Sequence, residues 1–482
     1  MNKTVKNLIY NGLYQLLIIA LPIITVPYVA RVLGARALGE NSYITSVGIL
    51  LGYVIILGMN QLGVREIAKI SASKDELTIT FSRLWGLQFI VGILVTLSYI
   101  GITYRMSNNI YYLANIPYLL GFMLDISWFF VGIGEISRVV TRNTVIKFLS
   151  LILIFSCVHS SNDLLLYILI NSSALMLSNL VFWMSLRKKI WTTKILKNLF
   201  SSKYIKSSLI LGLPQIAVQF YTNFDSVIVG YIAGAVQLSY YDQSQKIARM
   251  LLALITSTST VLMPKLVKLM QNDKDNKRSS DLLKKSLDYT LIISLFITFL
   301  IMINVNELVP WFFGNKFSPM INNMFWVSLI IIFISFGSVF SNQYALANGL
   351  YRIFAIPYFL GAIFSIISNI IFVHLWKADG GTTTIILTEL IVCILRVWLV
   401  KKNFNFKVLF RQYWKYFLTF CVSLLFCVRI HIVVSSNFVS MILNSFIGTF
   451  VFLLLLVIFQ PPAVNEALSF IFIKMKHYMT KK

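Results

Sequence analysis

The chain has no polar stretch long enough to fold as a water-soluble domain. Charged residues make up 12% of its 482 positions, against roughly 25% in ordinary globular proteins. Acids are scarcest of all, with 17 Asp plus Glu against 42 Lys plus Arg. Cysteine is rare: the 4 present, Cys157, Cys393, Cys421 and Cys427, all sit in apolar runs without CxxC or metal-ligand spacing. That excludes a disulfide framework or a zinc site and leaves packing as their role. The 4 histidines form no cluster either. A removable signal peptide is not expected, because the first apolar stretch is too long and continues into the fold.

What the chain does have is apolar sequence, 58% of the total. A spanning helix needs about 20 mostly apolar residues, and about 14 such stretches follow one another. They cover residues 10–33, 40–62, 82–104, 111–134, 144–160, 164–186, 208–233, 238–266, 287–306, 321–348, 354–376, 382–400, 414–433 and 438–459. The expected fold is therefore an all-α polytopic membrane protein.

The net charge of +25 would suggest nucleic acid in a soluble protein. Its distribution says otherwise. With the N-terminus in the cytoplasm, about 34 Lys and Arg fall on the cytoplasmic side and about six on the other, the bias that orients membrane proteins. Both termini are expected in the cytoplasm, and the basicity reads as topology plus attraction to anionic lipid headgroups, with no nucleic-acid partner.

The chain also repeats. At an offset of 200 residues Gly12 matches Gly212, Gln15 matches Gln215, Val29 matches Val229, Gly34-Ala35 matches Gly234-Ala235 and Leu38 matches Leu238. Spans 1–6 then recur as spans 7–12 in the same orientation, a symmetry found in transporters that rock two bundles around a central site. The expected organisation is an N-lobe at 1–200, a C-lobe at 201–406, and an appended helix pair with a cytoplasmic tail at 407–482. The basic segment 187–206 between the lobes, with Trp191 among its lysines, reads either as an amphipathic helix at the cytoplasmic interface or as a solvated linker.

A charge at membrane depth costs roughly 2.5–3.5 kcal/mol on insertion scales, so each needs a reason. Asp125 lies near the middle of span 4, Glu389 at comparable depth in span 12, and Asp225 in the outer part of span 7. Span 8 carries Asp242, Lys246 and Arg249 at i, i+4 and i+7, on one helical face. These three either pair within the helix or line a watery cavity. An Asp242–Lys246 bond would still leave Arg249 needing a partner. Arg31, Glu40, Arg65, Glu135 and Arg138 sit near span ends, where long side chains reach the interface cheaply. Prolines 22 and 27 in span 1 and Pro214 in span 7 fit bendable helices beside a cavity.

At span 4 the sequence Asp125-Ile-Ser-Trp128-Phe129-Phe130-Val-Gly132-Ile-Gly-Glu135 resembles the D-x-x-W-x-F-x-G-x-E motif of Wzx-type polysaccharide flippases, members of the multidrug/oligosaccharidyl-lipid/polysaccharide exporter superfamily. Leu21-Pro22 with Ala30-Arg31 and Gly34 is similar to that family's first hairpin, and Gly63-Val-Arg65-Glu66-Ile-Ala68 to its first cytoplasmic loop. Asn223-Phe-Asp225, Phe312-Phe-Gly314-Asn-Lys316-Phe317 and Asn348-Gly349 continue the likeness in order, over about residues 1–400. The resemblance implies two six-helix lobes in a V around a central cavity. It implies transport of a polyprenyl-diphosphate-linked oligosaccharide across a bacterial cell membrane, for capsule, exopolysaccharide or O-antigen, alongside other polysaccharide-export proteins. Lys246, Arg249 and Arg31 are then the cations for the headgroup, arginine being suited to bidentate phosphate contact. Trp128, Tyr240 and Tyr241 are candidates to stack on sugars, although packing is the role that suits them better. No cofactor is implied; Asp125, Glu135, Asp225, Asp242 and Glu389 are the acids available for proton or sodium coupling or for ion pairs. One departure stands out: the cationic face of span 8 maps onto Ser46 and Ile49 in the first half, so any headgroup site is lopsided.

Two relatives of this function compete. A cation-coupled drug antiporter of the same superfamily would want an acidic, aromatic midplane, and a lipid II flippase would share the diphosphate. An enzyme fits less well, because outer loops are short and His159, His374 and His431 lie singly near span ends, with no nucleophile–base pair or nucleotide loop.

Overall fold

A computed structural model describes residues 3–70, 73–106, 109–186, 190–191, 199, 202–272, 277–404 and 406–465. The basic segment 187–206 is largely outside the described residues, as are the terminal lysines; Trp191 is described, with the Lys74 ammonium 3.9 Å from its ring centroid. No strand occurs among the described residues. The chain divides into two compact units, Met1–Ser239 and Tyr240–Lys482.

The helices are α1 Lys3–Ile56, α2 Met59–Ala68, α3 Lys74–Thr103, α4 Asn109–Leu113, α5 Ile116–Met123, α6 Ser127–Gly132, α7 Ile136–Cys157, α8 Leu164–Leu186, α9 Ile205–Ala233, α10 Ala235–Asn272, α11 Lys277–Phe313, α12 Ile321–Val327, α13 Ile330–Ser338, α14 Tyr351–Leu399, α15 Phe406–Leu409, α16 Trp414–Arg429 and α17 Asn437–Phe459. Among the described residues, 9 helical stretches are long and apolar enough to cross a membrane. Two of them, Ala20–Ala68 and Tyr351–Leu399, hold two spans each, because the backbone leaves helical geometry at Gly34 and at Lys377. With α9, α10 and α16 added, about 14 spans result. The chain is an all-α, multi-pass membrane protein.

The breaks follow from single residues. Gly34 has φ 77° and ψ 177°, and Gly234 has φ 86° and ψ 171°. That region of backbone space is essentially open to glycine alone, and nothing lies near enough to either Cα to exclude a side chain on space. The conformation itself demands glycine. The same turn thus closes span 1 and span 7, at residues 200 apart, and the flanking pairs Val29/Val229 and Leu38/Leu238 are all buried. Within the first unit, the start of span 2 then crosses the start of α10 with Gly39 flat against the Ala235 carbonyl, where a Cβ would overlap the backbone oxygen. Small residues allow such close helix approaches in membranes, where packing replaces the hydrophobic drive.

One element departs from expectation. The segment 63–68 is not a loop but the body of α2, because Met59, Leu62, Gly63 and Ile67 form a buried face. Glu66 on it accepts from Arg65 and Lys69 at 3.0 and 2.9 Å, an exposed pairing of small energetic weight. The core of the first unit is aromatic: Phe81, Trp85, Trp128, Phe129, Phe130 and Phe182 cluster between α3, α6 and α8. In the second unit α11, α16 and α17 close around Phe299, Tyr416 and Phe452.

Candidate functional site

The cationic face of span 8 lies in the second unit. Asp242 and Lys246 pair at 2.7 Å, the within-helix bond that their spacing favours. Arg249 is left over. Its Nε donates to Gln245 Oε1 at 3.2 Å, while Nη2 is buried with no hydrogen-bond partner among the described residues. Arg249 lies about 20 Å along α10 from the Gly234 turn, at 1.5 Å per residue, deep inside a hydrocarbon layer of roughly 30 Å. A guanidinium donor held there without an acceptor is costly. It is also ready to bind one.

The motif at 125–135 does something else. Span 4 breaks between α5 and α6, which frees consecutive carbonyls at membrane depth. Each is met by a side chain. Asn179 Nδ2 donates to the Gly121 carbonyl at 2.8 Å, Gln88 Nε2 to Phe122 at 2.7 Å, Trp85 Nε1 to Met123 at 3.1 Å and Trp183 Nε1 to Leu124 at 3.0 Å. Asp125's own carbonyl accepts from Gln88 at 2.9 Å and from Trp128 Nε1 at 3.1 Å. Irregular backbone persists in a bilayer only when so satisfied. The Asp125 carboxylate accepts from the Ser127 N–H at 2.8 Å, a two-residue turn that restarts the helix. These groups hold the break in place.

That assignment makes a separable prediction. Asp125→Ala should lose about 1.5–3 kcal/mol of stability, the value of a hydrogen bond to a charged acceptor. Asp125→Asn keeps an acceptor and should keep both stability and transport. Transport lost in the asparagine variant, with folding intact in detergent, would instead make Asp125 a coupling carboxylate.

The remaining expected residues fall in different places. Trp128 is 2% exposed and Tyr241 1% exposed. Trp128 stacks on Phe81 at 5.6 Å, and rings so enclosed offer no face to a sugar. Tyr240 is also buried, edge-on to Phe317 at 6.1 Å. The packing role therefore accounts for all three. Arg31 is exposed. Glu135 pairs with Arg138 at 3.0 Å where span 4 hands over to span 5. Asp225 and Glu389 are each 3% exposed, the most buried of the five acids.

Three sets of residues escaped the sequence. Arg396, in the stretch 382–400, is buried at the end of α14 with its guanidinium 4.8 Å from the Tyr358 ring centroid. Its spacing from Glu389 and Cys393, i, i+4 and i+7, repeats that of the span 8 face and was the available clue. Gln88, whose amide bridges two carbonyls of the span 4 break, had no local pattern to mark it. His431 is not solitary: its Nε2 lies 2.7 Å from Oε1 of the buried Glu307, 124 residues earlier. Removing that partner should cost about 2 kcal/mol, since Glu307 then loses a charge-assisted bond inside the protein. In equilibrium unfolding, His431→Ala should be clearly destabilised and the double variant with Glu307→Gln less so. Equal loss in both would mean that the bond contributes nothing.

A family model described as polysaccharide biosynthesis protein matches residues 4–270. A Shigella dysenteriae protein named as a candidate O-antigen transporter is 23% identical over 386 residues, covering 79% of this chain and 96% of that protein. Its Escherichia coli K12 counterpart, named alike, is 22% identical over 410 residues, covering 83% and 97%. Among solved structures, the lipid II flippase MurJ in an inward closed conformation superposes with a TM-score of 0.75 over 94% of this chain and 98% of that one, at 14% identity, a likeness of fold. The family model spans more than half of the chain, and it takes in the first hairpin, the broken fourth span and the cationic face of span 8 alike: the chain belongs to the polysaccharide biosynthesis protein family.

Proposed function

We propose that this membrane protein is a flippase that carries a polyprenyl-diphosphate-linked oligosaccharide from the inner to the outer leaflet of a bacterial cell membrane, for assembly of a surface polysaccharide such as capsule, exopolysaccharide or O-antigen. The carrying observation is Arg249, a half-buried guanidinium with one buried, uncommitted donor, Nη2, deep in span 8. A diphosphate supplies the acceptors it lacks, in the planar two-oxygen geometry that arginine matches. Lys246 adds a second cation by exchanging Asp242 for phosphate. The names of the two O-antigen relatives and the lysine and arginine distribution, which puts both termini in the cytoplasm, support the same direction of transport.

The physics of the cycle is favourable. The polyprenyl tail stays in the bilayer, since each buried CH₂ is worth about 0.8 kcal/mol. An inside-negative potential pushes an anionic headgroup outward by about 2.3 kcal/mol per charge per 100 mV fully crossed. Transport proceeds by alternating access, with Asp225 and Glu389 as the acids placed to carry a coupling proton or sodium ion. The test is flipping of a fluorescent polyprenyl-diphosphate oligosaccharide in proteoliposomes, read by quenching from outside. Quenchable signal should rise well above that of protein-free liposomes. No rise across several glycans, together with efflux of cationic dyes, would replace the flippase with a drug antiporter.

A further inference from the structure

The first unit holds a second feature that the headgroup chemistry leaves unused. A cavity of about 300 Å³ opens at the end of the spans that the charge distribution assigns to the outside. Its walls come from the start of span 2 just beyond the Gly34 turn, from the segment joining spans 3 and 4, and from the Gly234 turn. Four tyrosines converge there, Tyr43, Tyr111, Tyr112 and Tyr231, with Met106 and one carboxylate, Glu40.

The rings are held in place. Tyr43 and Tyr112 meet edge to face, with centroids 6.5 Å apart and planes at 89°. Gly230 lies against the Tyr43 ring so closely that a Cβ would come within 2.5 Å of it. Tyr231, by contrast, is 82% exposed at the rim. Among the described residues, none of the four phenol hydroxyls has a hydrogen-bond partner. Glu40 has the exposed Arg36 guanidinium 3.4 Å away, a weak surface pairing that leaves its carboxylate available as an acceptor.

We infer that this pocket binds a neutral sugar ring, through its apolar face on the tyrosines and its hydroxyls on Glu40 and the phenols. The chemistry selects that class. Rigid aromatic walls with a few converging polar groups define a small-molecule site, and this volume is at the lower end of the range of about 300–1,000 Å³. Tyrosine joins an apolar face to a polar tip, as a pyranose does. A cation is the rival ligand for Glu40, which already has the Arg36 guanidinium beside it. The pocket's place in transport, as a resting point for a glycan on the outer side, rests on the flippase proposed above; the sugar binding itself does not.

The experiment is saturation-transfer NMR on the full chain in nanodiscs. The probes are the methyl glycosides of glucose, galactose, rhamnose, N-acetylglucosamine and N-acetylgalactosamine. At least one should receive saturation from wild type and bind about tenfold more weakly to Tyr231→Ala and to Glu40→Gln, the loss of one good hydrogen bond or ring contact. Tyr351→Ala, an exposed tyrosine elsewhere, should bind as wild type. Tyr43→Phe removes a single oxygen and guards against a folding artefact. No transfer to any glycoside, unchanged binding in the pocket variants, or competition by tetramethylammonium would overturn the inference. Flipping measured on the same preparations separates the two proposals. Flipping without glycoside binding removes the pocket alone, whereas Tyr231-dependent binding without flipping upholds the pocket and removes its role in transport.

Discussion

Arg249→Gln is expected to slow flipping of a polyprenyl-diphosphate oligosaccharide by about 10- to 100-fold while leaving the protein folded. Hydrogen bonds to charged groups are worth about 1.5–3 kcal/mol, and every 1.4 kcal/mol is tenfold. The sign of the stability change is the sharper test. Arg249 keeps Nη2 buried and unpartnered among the described residues, so removing it relieves a cost, and the glutamine variant should unfold no earlier than wild type. A structural ion pair would behave in the opposite way, because its removal leaves a partner stranded. Arg249→Lys separates charge from geometry. Lysine keeps the cation but loses the planar fork, so its rate should fall between those of wild type and glutamine. Equal rates for all three would move the headgroup elsewhere, with Lys246 next in line.

The fold was legible because membrane physics writes it in plain sequence. Lipid demands long apolar helices, and the charge bias of the loops orders them, so the spans could be placed from composition alone. The offset of 200 residues led directly to Gly34 and Gly234, whose backbone angles match within about 10°. Arg249 was legible for the same reason: a charge in a long apolar run is conspicuous. Groups that meet across the chain were not. Asn179, Gln88, Trp85 and Trp183 cap four neighbouring carbonyls from two other helices, and nothing in their local sequence says so. His431 looked like a solitary residue at a span end until the fold joined it to Glu307. The aromatics of the span 4 motif admitted two roles, of which packing was the favoured one. A tryptophan beside an acid suggests a binding surface, yet Trp128 is core, and its indole N–H serves the backbone rather than a ligand. The tyrosines of the outer pocket went unremarked because they come from separate turns, with Glu40 read only as an interfacial anchor.

Gln88→Leu should be the most destabilising polar-to-apolar change in the first unit, by about 3 kcal/mol or more, although leucine suits a bilayer better than glutamine does. Gln88 is fully buried, and its amide nitrogen serves the carbonyls of Phe122 and Asp125 while its oxygen accepts from Trp128 Nε1 at 3.2 Å. Leucine removes all three contacts. The indole falls back on the Asp125 carbonyl, while the Phe122 carbonyl keeps only the long contact from the Asp125 N–H at 3.3 Å in a place where no water replaces the lost amide, and a poorly satisfied group there costs several kcal/mol. Trp128→Phe removes one of two donors to the Asp125 carbonyl and the donor to Gln88 Oε1 but leaves the Gln88 amide on its carbonyls, so it should cost less for lost hydrogen bonding despite touching the larger side chain. Equilibrium unfolding in mixed micelles should therefore rank Gln88→Leu below Trp128→Phe, and both below Asp125→Asn. If Gln88→Leu proves as stable as wild type, water must reach the break. Span 4 would then be open at its middle, and Asp125 would return as a candidate for ion coupling, because a hydrated carboxylate beside free carbonyls is what a sodium ion or proton requires.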